Sequence, residues 1–174
     1  YQGEQSAETT DKSFASPIPG GEWSRYVDTQ TGSVPTLPGT REEVYAIQRL
    51  LQGHQVSGEL YTGDKASESQ LKATRDPRIL HIATHGFFLP GVTNSGLGSN
   101  PLLRSGLLLA DCERALRGYR IPEGEEDGIL SAYEAMNLFL DGTDLVVLSA
   151  CATGLGEIQN GEVVYGHLRA FQQA

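Results

Sequence analysis

Cysteine is nearly absent from this 174-residue chain, with two in all, and methionine and tryptophan occur once each. Two thiols, Cys112 and Cys151, cannot build a disulfide scaffold, so a packed apolar core and a reducing, cytoplasmic setting are expected. No apolar run approaches the ~18 residues needed to cross a bilayer, and the longest, Ile79 to Ala83 and Leu145 to Leu148, are strand-sized, so no membrane partner is expected. Cationic residues are scarce: 13 Lys and Arg face 22 Asp and Glu, for a net charge of −9. A phosphate backbone would meet repulsion and no basic cluster offers an exception, so direct nucleic-acid binding is not expected. Ligand spacing for zinc is wanting, with no Cys-x-x-Cys pair, and no metal is expected. Gly154-Leu-Gly156 follows an apolar run, but the third glycine of a dinucleotide loop would fall on Gln159, and no cofactor is expected either. No repeat of 20 to 50 residues is visible.

What is present divides the chain. Half of residues 1 to 40 are Gly, Pro, Ser or Thr, so residues 1–36 read as a linker or partly ordered approach segment. Trp23, Tyr26 and Val27 stand out there as three large side chains able to pack on the flank of a following domain. From Leu37 onward, Thr40 is read as the N-cap of a helix over Arg41 to Leu51, with Val44, Ile47, Leu50 and Leu51 on one face. A strand is predicted over His54 to Tyr61 and a short helix over Ala66 to Thr74. Arg78 to Thr84 and Asp144 to Ala150 have the near-continuous apolar pattern of strands buried on both faces. Ser105 to Ala110 reads as a further strand and Asp111 to Asp127 as polar connection. Ser131 caps a helix running to about Leu140, with Glu134 as capping-box partner, and Val163 to Gln173 is a last helix. Strands alternating with helices predict an α/β layered fold around a mostly parallel central sheet flanked by helices.

In such sheets catalytic groups gather where the strands end. One apolar strand delivers His85 to its tip before Gly86; the other delivers Cys151 before a glycine-rich turn. An imidazole in reach of a thiol, with backbone N–H groups close by, is what nucleophilic thiol catalysis requires. His81, deeper in the same strand, reads as a partnered core histidine, and Cys112 as an inert or exposed thiol.

The runs His81-Ile-Ala-Thr-His85-Gly-Phe-Phe, Asn100-Pro-Leu-Leu-Arg-Ser-Gly-Leu-Leu-Leu-Ala110, Asp127-Gly-Ile-Leu-Ser-Ala-Tyr-Glu134 and Asp144-Leu-Val-Val-Leu-Ser-Ala-Cys-Ala-Thr-Gly-Leu-Gly-Glu157 resemble a CHAT domain, the caspase-like family often joined to TPR repeats. Leu37-Pro-Gly-Thr-Arg-Glu-Glu43 resembles the family's usual entry, so the resemblance spans residues 37–174. It implies a caspase-like fold, cysteine endopeptidase activity on protein or peptide substrates, and a dyad of His85 and Cys151. It further implies that the N–H groups of Gly86 and Cys151 bind the oxyanion. An upstream sensor or repeat domain, or a regulatory protein, is the implied partner. The family usually continues past Ala-Phe-x-x-Ala, so the chain, which opens on Tyr1 and stops at Ala174 within a helical pattern, is expected to be a piece with the C-terminal part missing. Asp111, Asp127 and Glu134 lie between the dyad members and favour a basic over an acidic P1 side chain, with Asp127 the substrate-binding candidate. The alternative reading is a catalytically silent caspase-like interaction or signalling module.

Overall fold

The computed structural model describes residues 23, 26–28, 30–89, 100–150 and 170–174. Five strands are described: β1 (Ile79–Ala83), β2 (His85–Phe88), β3 (Ser105–Leu108), β4 (Ile129–Ser131) and β5 (Leu145–Ser149). Among them lie helices α1 (Pro38–Gly53), α2 (Glu68–Ala73), α3 (Cys112–Leu116) and α4 (Ala132–Ala135). The two longest apolar runs form β1 and β5, which pair in parallel with Ile79 opposite Leu145 and Ala83 opposite Ser149. Mixed helix and strand content with a parallel pair accords with an α/β chain.

The other described strands depart from a mostly parallel sheet, because β2, β3 and β4 pair antiparallel in that order. Only Thr84 separates β1 from β2, too few residues for a parallel crossover, so β2 leaves the parallel pair and takes an antiparallel partner. Alternation along these strands feeds two cores. Phe87, Leu108 and Ile129 face one cluster with Trp23, Tyr26, Leu89, Cys112, Ala115 and Leu116. Leu107 and Leu130 face the other, where Ile82, Ala132, Leu138 and Phe171 lie, with Leu80, Val146, Leu148 and Ala150 packed against it.

The opposite face of the parallel pair meets α1, yet no residue of α1 is buried. Ile79 is 60% exposed and Leu145 50%, so the expectation that these strands are covered on both faces does not hold in the described residues. The predicted strand over His54 to Tyr61 is absent: residues 54–62 have no strand pairing and Val56 is exposed. Its apolar residues are irregularly spaced and Gly58 interrupts them, which weakens a strand. Helix α1 begins at Pro38, two residues before the predicted cap, since proline's fixed φ suits the first helical position. Thr40 sits in its first turn and donates to the Leu37 carbonyl (2.8 Å).

Trp23 and Tyr26 lie in the first cluster against Phe87, with ring centroids 5.0 and 6.4 Å from it. The Tyr26 hydroxyl donates to the Phe88 carbonyl (3.0 Å) and accepts from the Phe88 N–H (2.9 Å). One phenol thus satisfies both backbone groups of a residue in β2, a strand whose described pairing is with β3 alone.

Candidate functional site

His85 opens β2, directly after the parallel pair ends. The Thr84 N–H continues the pairing by donating to Ser149 (3.2 Å), while its hydroxyl donates to the Leu108 carbonyl of β3 (2.5 Å). The bend at Thr84 is therefore tied to both sheets, and His85 follows it opposite Leu108. The His85 Nε2 lies 2.6 Å from the carbonyl oxygen of Pro35. A carbonyl only accepts, so Nε2 carries the proton and Nδ1 is left as the ring's second position for proton exchange.

Cys151, the predicted nucleophile, lies outside the described residues, as does the turn after it. Its predecessor Ala150 is described and sits beside the residue following His85: a methyl group built on Gly86 would lie 3.6 Å from the Ala150 methyl and 3.7 Å from its carbonyl oxygen. The two strands are in register to Ala83 and Ser149, so the chain reaches His85 and Ala150 at the same end of the parallel pair. The described residues bring together His85, Gly86 and Ala150. Of the two predicted oxyanion donors, Gly86 is buried and Cys151 is not described.

Below His85, a single carboxylate bridges the two strands. Glu43 of α1 accepts from His81 Nε2 through Oε1 (3.0 Å) and from the Ser149 hydroxyl through Oε2 (2.9 Å). His81 is thus a partnered, mostly buried histidine, as its depth in the strand suggested, with a side chain 18% exposed.

Asp127 lies two residues before β4. Its Oδ1 accepts the Ile129 N–H (2.8 Å). Burial raises its carboxyl above the ordinary range, and the charges around it belong to Glu134, Lys72 and Glu126. These acids form a cluster around Lys72, whose ammonium lies 2.7 Å from Glu68, 2.7 Å from Glu126 and 3.1 Å from Glu134. The carboxylates converge closely, and the lysine supplies the cation between them. Glu68 is buried, accepts the Gly128 N–H (2.9 Å) and is pushed by that burial up to about 7 against the pull of Lys72. Glu134 completes the predicted capping box with Ser131; burial works against its charge, but the bonds from Ser131 and Lys72 hold it below the usual range. Asp111 precedes α3 in the left-handed region at φ 68°. Cys112 is buried, and burial, then Glu113 and Asp127, push its thiol up to about 12, which makes it inert at neutral pH.

A shallow depression of about 640 Å³ between α1 and the Gly63–Lys65 turn is lined by Tyr45, Leu60 and Lys65, among others, and includes neither His85 nor Ala150. The sequence reading missed two groups at the site. Pro35 acts through a backbone carbonyl, which carries no side-chain signal, and Glu43 is one acid among several on a helix whose pattern does not reveal what it faces.

A family model described as CHAT domain matches residues 4–174. Comparison with curated proteins and with solved structures gives no match.

Proposed function

The chain belongs to the CHAT domain family, which is caspase-like and related to peptidases, and from that premise we propose that it hydrolyses peptide bonds with a His85–Cys151 dyad. The observation that carries this reading is the held imidazole. His85 stands where the parallel pair ends, its Nε2 proton bonded to Pro35 and its Nδ1 free to exchange a proton, with Ala150 beside Gly86 on the neighbouring strand.

In this mechanism Nδ1 of His85 takes the thiol proton and the Cys151 thiolate attacks the scissile carbonyl carbon. The N–H groups of Gly86 and Cys151 stabilise the oxygen that gains charge, and one such donor is typically worth ~10²–10³ in rate. The imidazolium then protonates the departing amine, and water, deprotonated by the same ring, releases the acyl group from sulfur. The Pro35 carbonyl does the orienting work that a carboxylate does in other triads: it fixes which ring nitrogen bears the proton and gains strength when the ring becomes charged. The caspase-like layering of the whole domain, a cytoplasmic setting and control by an upstream sensor belong to the same proposal.

The test is turnover of a fluorogenic peptide library by the full chain beside its Cys151→Ala and His85→Ala forms. Cleavage lost in both variants supports the dyad. Absence of cleavage, together with a Cys151 no more reactive than a free thiol, selects the silent interaction module.

A further inference from the structure

We propose that Glu43 is a positioning residue of this site, a clamp that sets helix α1 against β1 and β5, the strands that precede His85 and Cys151 in the chain, and thereby holds the Pro35 carbonyl on His85. The inference rests on the reading of His85 as the dyad's base. Both oxygens of the Glu43 carboxylate are used, one on each strand. Oε1 takes the His81 Nε2 proton from β1 (3.0 Å) and Oε2 the Ser149 hydroxyl proton from β5 (2.9 Å). Since a carboxylate only accepts, the Nε2 of His81 is fixed as a donor. His81 precedes His85 by four residues and Ser149 precedes Cys151 by two, so in sequence the clamp grips each strand shortly before its dyad residue.

Among the described residues little else fixes α1 in place. None of its residues is buried, and the apolar face it covers leaves Ile79 and Leu145 half-exposed or more. Apolar packing, which is non-directional, therefore leaves the helix free to slide or roll, whereas two hydrogen bonds to one planar carboxylate define its position. The helix begins at Pro38, only three residues after Pro35, and the intervening chain has no slack to absorb a shift. A displacement of α1 thus reaches the Pro35 oxygen, 2.6 Å from His85 Nε2. Misplacement of a catalytic group by ~1 Å can cost about 10² in rate.

The experiment uses the full chain labelled with ¹⁵N-histidine, its four histidines assigned by single His→Gln variants. In the unaltered chain His85 should show a persistent Nε2–H correlation. Glu43→Ala should lose it and lower kcat about 10²-fold with KM little changed. Glu43→Gln, whose amide oxygen can accept from His81 Nε2 while its NH2 donates to the Ser149 hydroxyl oxygen, should restore both. Cys112, buried and unreactive in the folded chain, reports whether each variant is folded. A folded Glu43→Ala with an intact His85 correlation overturns the proposal. Should Glu43→Ala fail to fold, Ser149→Ala, which removes one arm of the clamp, decides: a weakened correlation supports it and an unchanged one overturns it. A chain that cleaves no peptide defeats the peptidase reading alone, since the ring signal is read without substrate.

Discussion

At Cys112 burial and the acids Glu113, Asp127 and Asp111 all keep the proton on sulfur. An electrophile that captures thiolates near neutral pH should leave that residue unmodified in the folded chain. Mass mapping after brief exposure to a small peptide ketone is therefore expected to find label on Cys151 and almost none on Cys112; equal labelling would contradict the account. Glu68 sets a second expectation. Folded, its carboxyl holds a proton up to about 7, against 4.5 for the ordinary group, because burial disfavours the charge. Between those values the native state binds more protons than the unfolded one, so this residue's contribution to stability falls as pH rises through the window. Urea unfolding at the two ends should show Glu68→Gln losing less stability over that range than the unaltered chain. A variant with the same pH slope would mean that Glu68 is already ionised beside Lys72.

Elements were legible where they were long and apolar. Strands β1 and β5 lie where the two runs placed them, and Ser131 with Glu134 caps α4 as the spacing implied. That helix stops at Ala135 rather than near Leu140, the chain tightening into turn bonds from Asn137 and Leu138. Strand β4 is three residues long, too short for a period, and α3 is a five-residue helix hidden in what read as polar connection, although Cys112, Ala115 and Leu116 are its buried side. The predicted helix over Val163 to Gln173 is described only at residues 170–173, which are helical. Gly106, in the central strand of the antiparallel sheet, is a further point no pattern flags. A methyl group there would fall 2.1 Å from the Leu130 carbonyl oxygen and 2.7 Å from the Phe87 ring. Both neighbours belong to packed strands, so Gly106→Ala should destabilise by about 3 kcal/mol or more in urea unfolding. A loss under ~1 kcal/mol would show that β3 can shift away from β4, as its packing says it cannot.

For the whole molecule, the segment that read as an approach linker contributes to both core and site: Trp23 and Tyr26 pack on Phe87, and Pro35 reaches His85. The packing of Trp23 and Tyr26 was legible, as large side chains standing out in a Gly, Ser and Thr-rich stretch; the reach of Pro35 to His85 was not, since it acts through a backbone carbonyl. Trp23→Ala should cost about 3–5 kcal/mol in unfolding, whereas a side chain resting on an exposed flank would cost far less. The placement of His85 where the parallel pair ends was legible because strand tips are where such sheets place their chemistry, while Cys151 lies outside the described residues; the carbonyl and the clamp that hold the histidine were not legible, since both depend on α1's placement. The account's central claim is that His85 activates Cys151 across the end of the β1–β5 pair. Its most direct measurement is the pH dependence of Cys151 alkylation by a small haloacetamide in the full chain and in His85→Ala. The account predicts fast labelling near neutral pH that falls steeply in the variant, with the remaining reaction rising only as an ordinary thiol ionises near pH 8.5. Identical profiles in the two proteins would contradict it.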